Sequence, residues 1–336
     1  MSKKLFSTER WKRYLKSRQL AQDRNAKRRR HRGKQQKRHQ QPIAQRAFYT
    51  LAAPSNFSIV QNSTATIAFL NNLRFYSAKY NINLDLSRVA SLTTDAIAAL
   101  VATTGALTRA GTLINGVSPN DAVAQRILIG SGFFDHYHSQ QPLPHVPHGQ
   151  ILREKSKKVQ PDLARDLIHF GIKALTGIDG KCSAAYRVLI ESMSNTHNHA
   201  LSAKARRDRS QEGETWWATV YADAERKRVC FTFVDVGVGI FESVRLGKIR
   251  FLYRLVGLRK DTDILRDLLQ GKVESSTGYS YRGKGLPAIN RLSEAGRIES
   301  LIIVANDVYA NVSASEYKIL PVAFRGTLLY WEIGAP

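Results

Sequence analysis

Only two cysteines occur in 336 residues, Cys182 and Cys230, too few for a disulfide framework or a cysteine metal cluster. Both read as packing residues. No apolar run approaches the ~20 residues that span a bilayer. The N-terminus has no apolar stretch of the kind found in secretory signals, so the cytoplasm is the expected compartment and no membrane partner is expected. Acid is scarce as well: 27 Asp and Glu stand against 51 Lys and Arg, a net charge of +24. A chain so short of acid favours polyanionic partners.

What is present is unevenly distributed. Residues 1–46 hold 17 of the 51 Lys and Arg and only Glu9 and Asp23 on the acidic side. A basic amphipathic stretch (Phe6, Trp11, Tyr14, Leu15, Leu20) runs into Lys27-Arg-Arg-Arg-His-Arg-Gly-Lys. Charges this dense repel, so the arm is expected to be disordered when free. It fits RNA or DNA through phosphate contacts, with the aromatics as stacking groups. A solubilising tail or an arm for acidic protein fits the same composition.

The other 290 residues have the apolar content of a folded body, long enough for two modest domains. Over residues 47–140 the pattern is strand, helix, strand, helix. Ile82–Leu86 alternates as a strand, and Ser91-Leu-Thr93-Thr94-Asp95 leads into a helix from Ala96. Ala110–Gly116 reads as a second strand, and Ser118-Pro119 as a helix start. That order implies parallel βαβ units. The pattern Leu84-Asp85-Leu86-Ser87, Leu92-Thr93-Thr94-Asp95-Ala96 and Val117-Ser118-Pro119 resembles the STAS domain of anti-sigma-factor antagonists. The resemblance puts Thr94 at the family's phosphoacceptor position. Here Thr93 replaces an acidic residue and Ala96 a glycine, which also suits a purely structural or docking module.

Residues 141–160 read as a linker. His136, His138, His145 and His148 cluster around it, but among prolines and without cysteine or well-spaced carboxylates, which favours extended chain over a metal site.

Four separated segments follow. Glu191, Asn195 and His199 recur every fourth residue after Ser183, so they share one stripe of a helix. Glu191 can take a proton from an attacking hydroxyl or water, and Asn195 can offer an oxygen to Mg2+. A solvated helix face is the other reading of the same stripe. Trp216–Tyr221 and Arg228–Val234 read as a hairpin that delivers Asp235 into Val-Gly237-Val-Gly239. That carboxylate can accept from an adenine amino group, although a simple glycine turn also ends strands this way. Arg282-Gly283-Lys284-Gly285-Leu286-Pro287 opens a helix whose N–H groups suit a phosphate chain, with Arg282 and Lys284 adding charge. The spacing is neither a Walker loop nor a dinucleotide fingerprint. Phe324-Arg-Gly326-Thr327 begins the last strand.

In this order the segments resemble the GHKL ATPase superfamily over about residues 160–334. The Glu-x3-Asn-x3-His-Ala spacing is similar to the anti-sigma serine kinases. The resemblance implies an α/β class with a STAS-like βαβ domain at 47–140. A Bergerat-fold sandwich at 161–336 would have a mixed sheet, helices on one face, and a long lid from Phe241 to Tyr281. It implies ATP and Mg2+ as cofactors, Glu191 as base and Asn195 as metal ligand. Asp235 would anchor adenine, while Gly237, Gly239, Gly283, Gly285 and Thr327 complete the boxes and His199 marks the kinase branch. An ATP-driven switch engaging nucleic acid or a nucleoprotein partner is the expected function, in stress signalling or phage defence. A serine/threonine kinase acting on a STAS domain and a docking module with little turnover are the alternatives. A protein partner and a homodimer both fit.

Overall fold

The computed structural model describes residues 46–136, 149–154, 159–199, 216–237, 239–243, 260–272 and 285–334. The chain divides between residues 47 and 48, and the architecture below belongs to Phe48–Pro336. The basic arm, most of the histidine-rich stretch, the basic half of the expected lid, and Arg282, Gly283 and Lys284 lie outside the described residues. The fold is mixed α/β.

In the N-terminal part, β1 (Phe48–Ala52), β3 (Asn81–Asp85) and β5 (Ile114–Val117) form a parallel sheet in the order β1-β3-β5. The short strands β2 (Asn56–Phe57) and β4 (Ser91–Leu92) pair separately. Helices α1 (Ser63–Ser77) and α2 (Thr94–Arg109) connect these strands, and α3 (Ala122–Gly130) follows β5. The expected strand-helix alternation is present, with two shifted boundaries. The second strand starts at Ile114, because Ala110–Thr112 close the end of α2 through bonds back to Ala106, Leu107 and Thr108. The last helix starts at Ala122, not beside Pro119. Asp121 is its cap, its carboxylate accepting from the Val123 and Ala124 N–H groups.

The C-terminal part is built on a five-stranded antiparallel sheet, order β6-β7-β8-β10-β9. Its strands are β6 (Gly149–Glu154), β7 (Trp216–Asp223), β8 (Arg228–Asp235), β9 (Glu299–Asn311) and β10 (Glu316–Gly334). The expected linker at 141–160 therefore needs correction. Gly149–Glu154 is an edge strand, satisfying backbone groups of β7 that would otherwise lack partners.

Helices α4 (Pro161–Thr176), α5 (Ser183–His199), α7 (Asp261–Leu269) and α8 (Gly285–Glu294) share a core with one face of this sheet, as does Phe241 from the short α6 (Ile240–Ser243). Ile264, Leu265 and Leu269 are buried in that core. This part of the expected lid is a packed helix.

The opposite face is covered too. Helices α1 and α2 pack against it, and Trp217, Val234, Ile302 and Leu328 join the N-terminal core. Gly105 of α2 lies so close that a Cβ there would sit 3.3 Å from the Trp217 ring. Two long-range hydrogen bonds fix the seam: Tyr309 Oη donates to the Val60 carbonyl at 3.0 Å, and Asn71 Nδ2 to the Ala323 carbonyl at 2.9 Å. The described helices of residues 161–336 thus lie on one face, and the N-terminal part covers the other. The sheet itself departs from the mixed one that the resemblance implied, because every strand pair in it is antiparallel.

Asp95 ties the N-terminal part together. Its buried carboxylate accepts from the N–H groups of Ile59 (2.6 Å) and Val60 (3.1 Å) on the loop before α1. Asp95→Ala leaves both donors buried without an acceptor, so stability should fall by about 2–4 kcal/mol in urea unfolding, while Asp95→Asn, which keeps an acceptor, should lose less.

Candidate nucleotide site

Strand alternation sorts the site residues. In β8, Phe231 and Phe233 point into the core shared with α4 and α5, while Cys230 and Val234 face α1 and α2. Asp235 continues the first series. In β10, Leu329, Trp331 and Ile333 belong to the same helix-side core, and Thr327 is in phase with them. Asp235 and Thr327 are direct partners in the β8–β10 ladder. Both are therefore delivered to the face that carries α5 and α8.

Asp235 is buried at the strand end, where its Oδ1 accepts the Gly237 N–H at 2.9 Å. Burial pushes its carboxyl up to about 6, with bonds from the Gly237 N–H and from the hydroxyl and N–H of Thr327 pulling the other way. Gly326 makes this pairing possible. Its φ is +121°, and a Cβ there would lie 1.9 Å from the Asp235 carbonyl oxygen. No other residue type fits. Gly239, at φ +80°, abuts Asn306 of β9.

The second group of residues forms between α5 and α8. Glu191 and Asn195 lie on one stripe, both partly exposed, while Val188, Leu189, Ser192 and Met193 are buried. Gly285 opens α8 against this stripe. A Cβ there would lie 3.0 Å from Glu191 Oε2, 3.2 Å from Asn195 Oδ1 and 3.3 Å from Asn195 Nδ2. The helix start thus meets a carboxylate and an amide with no side chain between them. Leu286 packs into the helix-side core beside buried Pro287. His199 is the last residue of α5, and its side chain lies outside the described residues.

Sequence reasoning missed two neighbours. Arg187, one helical step before Glu191, has its Nε 3.8 Å from Glu191 Oε1. The same four-residue stride that links Glu191 to Asn195 could have found it. Asn306 has a positive φ of 52°, beside a β9–β10 irregularity; only the tolerance of Asn for that conformation hints at it.

Glu191 and Asn195 are the residues that could hold Mg2+, and Asp235 the one that could accept from an adenine amino group. Glu191 and Asn195 offer hard oxygens, and the lack of a Cβ at Gly285 lets the helix start approach them closely. Asp235 supplies a buried acceptor on the same sheet face. No protein-family model, curated protein or solved structure matches the chain.

The raised Asp235 carboxyl has a thermodynamic consequence. Between the unfolded value of 3.8 and the folded value of about 6, the folded chain holds a proton that the unfolded chain has lost. Its contribution therefore makes the ligand-free protein more stable as pH falls through that window. From pH 7 to 5 the wild type should gain about 1.4 kcal/mol relative to Asp235→Asn in urea unfolding.

Proposed function

We propose that the chain is a GHKL-type, Mg2+-dependent ATP-binding protein that hydrolyses ATP to drive a conformational switch. The approach of Gly285 to Glu191 and Asn195 carries this reading, because residues ninety positions apart form one oxygen-rich step at a helix start. Asp235 and Thr327 then serve the adenine end. Asn195 would hold Mg2+ through its amide oxygen, and the ion would supply neutralisation of phosphate charge. Glu191 accepts a proton from the attacking water, with Arg187 holding its carboxylate loosely in place.

One observation favours the switch over an intramolecular kinase. Thr94 is buried, 7% exposed, and lines a cavity with Tyr221, Cys230 and Tyr330, whose side chains belong to the sheet face opposite Asp235. A hydroxyl there is separated from Glu191 by the sheet itself. Hydrolysis on one face has a mechanical partner in the N-terminal part on the other, since both pack on β7, β8 and β10.

With γ-labelled ATP and Mg2+, wild-type protein should release free phosphate and retain no stable label. Glu191→Ala should lose at least 100-fold in turnover while still binding ATP, an order of magnitude typical of removing a general base. Stable label on the protein would instead establish a kinase, and an unimpaired Glu191→Ala enzyme would remove the base.

A further inference from the structure

A cavity of about 540 Å³ lies in the seam between the N-terminal part and the sheet. It is on the face away from Asp235, and nothing in the ATP reading uses it. The volume is within the range of about 300–1,000 Å³ typical of small-molecule sites. Val60, Leu92 and Ile127 line it from the N-terminal part and Ile302 from β9. Thr94, Tyr221 and Asn311 add a hydroxyl, a phenol and an amide.

The charged groups along its wall already have hydrogen-bond partners. Glu332 is buried and accepts two bonds from Arg226 at 2.9 Å each, one from the Tyr330 hydroxyl and one from Ser300 Oγ at 3.1 Å. Asp223 accepts the Arg226 N–H at 2.9 Å, and its other oxygen lies 3.9 Å from that guanidinium. Asp95 is committed to Ile59 and Val60. An anion would meet three carboxylates against one engaged arginine, and a cation would have to compete with Arg226 for Glu332. Either disturbs hydrogen bonds that Glu332 already makes. Cys230 adds no nucleophile, because burial pushes its thiol up to about 12.

We propose that this seam cavity binds a neutral, nucleoside-sized heterocycle carrying hydroxyl groups. The ring would lie against Val60, Leu92 and Ile127 from the N-terminal part and Ile302 from the sheet. Its hydroxyl and ring polar atoms meet Thr94, Tyr221 and Asn311, and the absence of phosphate avoids the three carboxylates. Because the ligand touches both parts, it stabilises their contact. This inference does not rest on the ATP site.

The test uses the full-length protein with adenosine, guanosine, cytidine, uridine and thymidine, each at millimolar concentration, read by thermal unfolding and calorimetry. At least one nucleoside should raise Tm. The rise should persist in Asp235→Asn and disappear in Ile302→Trp, which fills the cavity. Thr94→Val should weaken binding about tenfold by removing one hydrogen-bonding hydroxyl. If Ile302→Trp does not fold, Thr94→Val decides, and unchanged affinity overturns the proposal. So does a wild type that responds to none of the five, or a response lost with Asp235→Asn, which assigns the binding to the other face.

Discussion

Side chains alternate across a strand, and here that alternation has two cores to serve. Along β8, Cys230 and Val234 go to the N-terminal part while Phe231, Phe233 and Asp235 go to the helices α4, α5, α7 and α8. A one-residue slip would exchange the two sets and place Asp235 against α1 and α2. Gly326 guards against such a slip near the site, since it tolerates a backbone contact that any Cβ would block. The candidate site, the seam cavity and the two-sided packing all follow from this single register.

The two faces carry different chemistry for the same reason. The helix face receives Asp235, held only by neutral donors from Gly237 and Thr327, and burial raises its proton affinity. The seam face receives Glu332, whose four hydrogen bonds hold its carboxyl below the usual range despite the cost of burial. One acid has no cationic partner and the other is paired with an arginine. Only the first suits ligand recognition through charge.

Much of this was legible in the chain. The hairpin ending at Asp235, the stripe of Glu191 and Asn195, and the helix opening at Gly285 follow from strand alternation, helical stride and glycine placement. Edge strand Gly149–Glu154 was not legible, because its identity depends on a partner 60 residues away and its surroundings read as linker. The resemblance put helix α7 inside a lid, whereas Ile264, Leu265 and Leu269 bury it in the helix-side core. The seam could not be read at all. Whether Trp217 and Ile302 pack on helices or face solvent is decided by tertiary contact, which no local pattern encodes. Asp95 reads in the sequence as part of the turn into a helix, and only the fold shows its carboxylate reaching back to Ile59 and Val60.

The central claim is that Glu191, Asn195, Gly285 and Asp235 serve one nucleotide. Calorimetric titration of ATP into the full-length protein, with Mg2+ present and then chelated, tests it most directly. The account predicts a single site per chain whose affinity drops on chelation and drops again in Asp235→Asn. Absence of binding heat from the wild type, or equal affinity in Asp235→Asn, would contradict it.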